Sequence, residues 1–78
     1  MAIDTKVYPN PASDELTVTT EAKEAKIIIY NILGQEVLNE AINAELKLNI
    51  SEMKNGTYLY KIMVDKVIIK TDKLIINK

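Results

Sequence analysis

Few side chains in this sequence could carry out chemistry. The 78 residues include no histidine and no cysteine, and Ser13 and Ser51 have no base beside them in the sequence. A Ser-Lys pair or the carboxylate pair Asp14 and Glu15 remains formally open, but such residues in loops are usually solvated turn formers. A hydrolase triad cannot be assembled. We therefore expect no catalytic residues and no enzyme.

The same residue inventory bears on metals and cofactors. Asp14, Glu15 and Asp72 would have to meet in the fold to bind a hard cation, and their spacing matches no calcium loop. The absence of cysteine excludes disulfides and thiolate metal sites. We therefore expect no metal site and no cofactor.

Charge and hydropathy narrow the list of partners. Ten lysines stand against eleven carboxylates, for a net charge of −1, and there is no long run of one sign. Nucleic acid is therefore not an expected partner. The longest apolar runs, 27–30 and 74–76, are far shorter than the roughly 20 residues of a membrane helix.

The length and the first residues predict the domain organisation. A chain of 78 residues has room for one hydrophobic core. Residues 1–4 do not have the basic segment and apolar stretch of a signal peptide, so we expect a piece of a longer protein with a start Met. Residues 1–6 are interpreted as a linker or cloning remnant leading into the first strand, and residues 5–78 as the domain.

Apolar periodicity predicts an all-β protein. Leu46, Leu48 and Ile50 alternate with polar residues, and the run 27–30 is typical of a strand covered on both faces. Strand starts recur roughly every ten residues with turn residues between them, which favours a sandwich or barrel. The seven predicted strands are 6–8, 16–19, 27–30, 37–42, 46–50, 58–64 and 67–76, the last with a bend near Thr71 and Asp72. A helix over 36–47 is the alternative, because that stretch is rich in Ala and Glu.

The turns contain the residues with the strongest backbone constraints. Pro9-Asn10-Pro11 fixes φ at two positions and removes two backbone donors, so it should form a rigid corner after the first strand. Gly34 and Gly56 are the two glycines, and each lies where a turn would favour a positive φ.

Tyr58 follows Gly56 by two residues, at the start of a predicted strand. This pattern resembles a tyrosine corner, in which the hydroxyl returns to the backbone a few residues upstream. The alternative is that Asn55-Gly56 is a two-residue hairpin turn and Tyr58 is only a core residue.

Taken in order, these blocks resemble the type A C-terminal sorting domain of the type IX (Por) secretion system. The blocks are Val7-Tyr8-Pro9-Asn10-Pro11, Leu16-Thr17-Val18, Ile29-Tyr30-Asn31 with Leu33-Gly34-Gln35-Glu36-Val37, Leu48 to Ile50, Asn55-Gly56-Thr57-Tyr58, and the closing Lys73 to Lys78. No single tripeptide is specific, but the ordered set over some 70 positions is.

The resemblance implies a seven-stranded immunoglobulin-like antiparallel β-sandwich at the C terminus of a larger protein exported by Bacteroidetes. Its implied partners are an N-terminal cargo domain, the type IX translocon and a sortase-like cysteine peptidase that removes the domain. The implied route runs through the periplasm to release or to the outer-membrane surface. Unpaired edge strands also leave room for a dimer of the isolated domain.

The residues expected to define the sorting signal are those of the family motif. We expect the translocon to recognise a surface formed by the last strand and the Gly34 turn, on which Lys73 and Lys78 provide the charges. The translocon could also recognise the last strand by strand addition. The full set is Pro9, Asn10, Pro11, Gly34, Asn55, Gly56, Tyr58, Lys73 and Lys78. The rival function is a fibronectin-like or carbohydrate-binding accessory module of a secreted enzyme, although the sequence has no Trp or Phe.

Overall fold

The computed structural model describes residues 4–78, and within that range it contains seven strands and no helix. The part of the predicted linker that covers residues 1–3 lies outside this range. All seven predicted strands are confirmed, and the helical alternative over 36–47 is wrong. The strands are β1 Thr5–Tyr8, β2 Glu15–Thr20, β3 Ala25–Tyr30, β4 Glu36–Ile42, β5 Glu45–Asn49, β6 Gly56–Val64 and β7 Val67–Ile76.

The strands form two sheets in which all strand pairs are antiparallel. One sheet has the order β1-β2-β5, and the other has the order β4-β3-β6-β7. The chain changes sheet between β2 and β3, between β4 and β5, and between β5 and β6. This arrangement leaves β1, β5, β4 and β7 as edge strands.

The core lies between the two sheets and follows the alternation of each strand. In the three-stranded sheet, Leu16 and Leu48 are opposite each other and both are buried. In the four-stranded sheet, Ile27 lies opposite Ile62, and neither is accessible to solvent. Because strand side chains alternate between faces, these positions fix which face of each sheet is internal.

The last strand pairs with β6 along its whole length, with one irregularity. The register shifts between Ile62 and Met63, which leaves Ile69 of β7 unpaired. Pairing is regular at Thr71 and Asp72, where the sequence predicted a bend. A β-bulge accounts for the shift, because it adds one residue to one strand of the pair.

Candidate functional site

Four segments that join or end strands meet at one end of the sandwich. They are residues 9–14, 31–35 and 50–56 together with 73–78 of the last strand and tail, and we call this region the motif end. The connections 21–24, 43–44 and 65–66 lie at the opposite end. We call it the hairpin end after the β6–β7 hairpin at 65–66. All nine motif residues predicted from the sequence lie in or directly beside the motif end.

Asn10 connects the proline corner to the last strand. Its side-chain amide donates to the carbonyl oxygen of Lys73 at 2.9 Å, and its Oδ1 accepts from the backbone N–H of Ile75 at 3.0 Å. A single side chain therefore provides the donor and the acceptor that a neighbouring strand would present. Pro9 and Pro11, each preceded by a cis peptide bond, flank this residue.

Ala12 continues the same contact along the edge of β7. Its N–H donates to the Ile75 carbonyl at 2.7 Å, and its carbonyl accepts from the N–H of Asn77 at 2.8 Å, in a parallel bridge opposite Ile76. The alanine side chain is 1% exposed and belongs to the core. The edge of β7 is therefore covered from Lys73 to Asn77 by the corner.

The Gly34 turn is organised by Asn31. The Asn31 Oδ1 accepts from the N–H groups of Leu33 at 2.9 Å and Gln35 at 3.0 Å, and its amide donates to the Gln35 side chain at 2.9 Å. Gly34 has φ of +82°, a left-handed conformation that glycine adopts without steric cost. The prediction of a positive φ at this glycine is confirmed.

The connection from β5 to β6 contains the predicted tyrosine corner. The Tyr58 hydroxyl donates to the Lys54 carbonyl at 2.7 Å, four residues upstream. Since β5 and β6 belong to different sheets, the hairpin interpretation of Asn55-Gly56 is wrong. Gly56 has φ of +154°, so a positive φ is also confirmed at this glycine.

The two lysines expected to provide recognition charges have different surroundings. The Lys78 ammonium donates to the carbonyl oxygen of Ser51, and the Lys78 N–H donates to the Oδ1 of Asn55 at 3.1 Å. The Lys73 backbone N–H is bound by the Asp72 carboxylate at 2.8 Å, while its side chain is exposed. Lys78 therefore holds the tail against the β5–β6 loop, and the ammonium of Lys73 faces solvent.

A shallow pocket lies between the Gly34 turn and the β5–β6 connection. It has a volume of ≈ 160 Å³ and is lined by Asn31, Ile32 and residues 55–58. The neighbouring side chains of Ile32 and Leu33 are 79% and 78% exposed. The motif end therefore combines a tightly hydrogen-bonded backbone with an apolar tip.

The ionisable groups do not form a reactive cluster. Within residues 4–78, no three Asp or Glu side chains are close enough to share a metal ion, so Asp14, Glu15 and Asp72 do not come together as a site. Burial, with a smaller contribution from the Asp72 carboxylate, raises the pKa of Tyr60. This shift favours the neutral phenol and gives the residue no role as a base.

Three residues that build the motif end were not among the site residues predicted from the sequence. Ala12 and Ser51 act through backbone atoms, so their residue types carry no signal. Asn31 acts through its side chain, and its position four residues before Gln35 in a turn was a usable signal, because Asn side chains often cap turns of this kind.

The geometry of the motif end defines a class of protein. It is a small β-sandwich in which three connections and the C-terminal segment are held together at one end, with an exposed surface there. Such a surface is suited to recognition by another macromolecule. Within residues 4–78, no helix is long and apolar enough to cross a membrane.

Comparison with known proteins identifies the family. The family model described as a secretion system C-terminal sorting domain matches residues 6–77. The chain belongs to this family of type IX sorting domains. It is therefore a sorting signal for export, and the family is one of signal domains rather than catalytic domains.

Two curated relatives share this segment. An endo-acting ulvan lyase of Formosa agariphila is 32% identical over 81 aligned positions that include 100% of this chain. An ulvan lyase of Nonlabens ulvanivorans is 33% identical over 75 positions, or 91% of this chain. The alignments cover only 16% and 14% of these relatives' own lengths.

Proposed function

We propose that the motif end is the surface by which the type IX translocon recognises the exported protein. The observation that supports this proposal is the convergence of the family motif. Residues as distant in sequence as Asn10, Gly34, Asn55 and Lys73 lie at one end of the sandwich. The motif residues are not needed simply to form turns, because the connections at the hairpin end contain none of them.

The position of the N-terminal segment supports the same proposal. Thr5 of β1 lies opposite Thr20, and the carbonyl of Asp4 accepts from the N–H of Glu21 at 3.3 Å. The chain therefore begins β1 at the hairpin end. Cargo attached before β1 would leave from that end, and the motif end would stay accessible to a partner.

The sorting assignment supports the following proposed route and partners. The cargo with its folded sorting domain crosses the periplasm and passes the outer membrane through the translocon. A sortase-like cysteine peptidase then removes the domain, and the cargo is released or attached to the cell surface. The catalytic nucleophile in this scheme belongs to the peptidase, and the sorting domain supplies the surface that is recognised.

The hydrogen bonds of the motif end refine which groups a partner can reach. Strand addition along Lys73–Asn77 would require displacement of the proline corner, because Asn10 and Ala12 occupy that edge. The remaining edge of β7, residues 67–72, contains the bulge at Ile69, a feature that protects edges from pairing. A dimer of the isolated domain would have to pair there or at another edge strand. In this proposal the partner contacts side chains of the motif end, and Lys73 is the exposed charge that this end offers.

We also propose that the sandwich is immunoglobulin-like. The hydroxyl of Tyr58, near the start of the sixth strand, returns to the backbone just upstream, as in the tyrosine corner of that fold. The connection that it ties runs from one sheet to the other, as the corner of an immunoglobulin sandwich does. These two features together support the assignment.

The ulvan lyases do not define the cargo of this chain. The shared segment is the sorting domain, and a sorting domain is separate from the residues that bind a substrate. An accessory module that binds carbohydrate would need exposed aromatic side chains. Of the four tyrosines, Tyr8 is 47% exposed while Tyr60 is only 2% exposed, and the other two are partly buried.

A fluorescent reporter with a Sec signal and this domain at its C terminus tests the proposed function. Export is compared in wild-type and translocon-deficient Bacteroidetes cells. We expect reporter outside the wild-type cells and folded reporter retained in the periplasm of the deficient cells. Retention in both strains would contradict the proposal, and specific binding of the domain on a glycan array would then favour the accessory module.

Truncation is a poor test of the tail, because it removes core residues. Leu74 and Ile76 are 0% and 1% exposed, so deletion of residues 74–78 would unfold the domain and prevent export for that reason alone. Substitutions of exposed residues separate recognition from folding.

A further inference from the structure

We propose that the outer face of the four-stranded sheet, beside the motif end, binds a protein partner through an apolar anchor flanked by carboxylates. The proposal rests on the sorting function proposed above and specifies the chemistry of its partner. The surface consists of Tyr30, Ile32, Leu33, Leu59 and Ile75, which we call the outer patch.

The strand register places Tyr30, Leu59 and Ile75 of the outer patch on one face of the sheet. Tyr30 of β3 lies opposite Leu59 of β6, and Leu59 lies opposite Lys73 of β7. Ile75 lies two residues beyond Lys73 and therefore on the same face. Because the neighbouring positions of these strands fill the core, the outer patch faces away from the three-stranded sheet. Ile32 and Leu33 follow β3 directly, in the turn at the tip of the same sheet.

Four apolar residues of the patch are exposed to solvent. Ile32 and Leu33 are 79% and 78% exposed, and Leu59 and Ile75 are 46% and 41% exposed. Single exposed apolar side chains are common on protein surfaces, but several at one end of a sheet are typical of an interaction site. The position of this set beside the family motif points to the same partner.

The charges around the patch indicate which charged groups the partner should carry. Lys61 and Lys73 lie on the same face, and the Lys61 ammonium is 5.1 Å from the centre of the Tyr30 ring. Lys26 is a third lysine on this face, while Glu36 lies opposite Tyr30 at the edge. Carboxylates around an apolar anchor would complement this excess of lysines.

An anionic membrane surface is a less suitable occupant. The outer face carries the three lysines Lys26, Lys61 and Lys73, and the chain as a whole has a net charge of −1. Clusters that bind anionic lipid contain about four to eight basic residues, more than this face provides. The structure therefore favours a protein partner.

The test uses the reporter fusion with substitutions in the outer patch. Leu59→Ser and Ile32→Ser are each compared with Ile68→Ser and Val67→Ser, exposed apolar residues near the hairpin end of β7. Exposure is closely matched for Leu59 and Ile68, at 46% and 49%, and Val67 is 61% exposed. We expect export to fall about tenfold for each patch variant and to remain near wild type for the controls, because anchors dominate interface energy.

A second pair of variants tests the carboxylates of the partner. Lys73→Glu reverses a charge on the patch, whereas Lys66→Glu reverses one at the hairpin end turn. We expect Lys73→Glu to reduce export about tenfold through like-charge repulsion, with Lys73→Arg close to wild type and Lys66→Glu unaffected. Normal export of Lys73→Glu would overturn the carboxylate partner.

Controls separate the explanations of any loss of export. Every purified variant must unfold at the wild-type temperature, so that loss of export reports recognition. Equal losses of export in patch and control variants, or no loss in either, would overturn the proposal. The sorting function itself would still stand if export of the wild-type fusion depends on the translocon. Sedimentation with phosphatidylglycerol vesicles that depends on Ile32 would replace the protein partner with a lipid surface and also overturn it.

Discussion

The two ends of the sandwich connect the same set of strands with different residues. At the hairpin end, Glu24, Ala44, Asp65 and Lys66 have positive φ values between 48° and 70°, although none of them is glycine. At the motif end, the residues with a positive φ within the described part of the chain are Gly34 and Gly56. Asn side chains bind backbone groups there. The hairpin end therefore accepts backbone conformations that cost free energy, and the motif end avoids them.

The comparison shows that the motif residues do more than form turns. Hydrogen bonds of the motif end join Asn10 to the last strand across 63 and 65 positions of sequence, and Lys78 to Ser51 across 27. Each contact ties one segment to another and so sets their relative positions at the motif end. A partner that recognises this end would find it pre-organised, which lowers the entropic cost of binding.

The largest expected effect comes from the core beneath the motif end. Leu74→Ala removes a side chain with no solvent exposure and should lower the free energy of unfolding by about 2–5 kcal/mol. Ile75→Ala, next to it in β7 but 41% exposed, should cost less than about 1 kcal/mol. Urea denaturation measures both, and similar losses would contradict the assignment of their faces.

The contact of Asn10 with the last strand is expected to have the next largest effect. Asn10→Ala removes two hydrogen bonds and should lower the free energy of unfolding by about 1–3 kcal/mol, with faster hydrogen exchange at the Ile75 amide. Asn10→Asp keeps the acceptor and loses the donor, so its loss should be intermediate.

Asn43 provides the matched control at the hairpin end. Among residues 4–78, the side chain of Asn43 has no hydrogen-bond partner, so Asn43→Ala should change stability by less than about 0.5 kcal/mol. A loss at Asn43 equal to that at Asn10 would remove the distinction between the two ends.

The tyrosine corner should contribute about as much as one hydrogen bond. Tyr58→Phe removes the donor to the Lys54 carbonyl and should lower the free energy of unfolding by about 1 kcal/mol. Tyr60→Phe is the control on the same strand, because within residues 4–78 its hydroxyl has no partner. Equal unfolding midpoints of the two variants in urea would show that the Tyr58 hydroxyl contributes nothing.

The smallest effects should have opposite signs at the two ends. Gly34→Ala places a side chain at φ of +82° and should destabilise the domain by about 1 kcal/mol, although no atom would lie within 4 Å of the new Cβ. Ala44→Gly relieves φ of 64° at the hairpin end and should stabilise it by up to about 1 kcal/mol. Thermal unfolding measures both, and a shift in the same direction would contradict the comparison.

The strands could be predicted from the sequence because they depend on local alternation. The β-branched run at 27–30 and the alternation of Leu46 and Leu48 each predict a strand without reference to the rest of the chain. The stretch 36–47 was ambiguous, since its Ala and Glu content favours a helix. Tertiary pairing of β4 with β3 decided in favour of strand.

The contacts of the candidate site could be predicted only in part. The tyrosine corner was predictable because donor and acceptor are four residues apart. The hydrogen bonds of Asn10 to the last strand were not, because they depend on how two distant segments meet. The engagement of the Lys78 ammonium by Ser51 and the bulge at Ile69 also depend on the assembled sheets.

Recognition through the motif end is tested most directly by a matched insertion at each end of the domain in the exported reporter. Six Gly and Ser residues are placed between Ile32 and Leu33 of the motif end, or between Asp65 and Lys66 of the hairpin end, and thermal unfolding confirms that both variants fold. We expect the first insertion to abolish translocon-dependent export and the second to leave it near wild type. Equal export of the two folded variants, or loss confined to the hairpin-end insertion, would contradict recognition through the motif end.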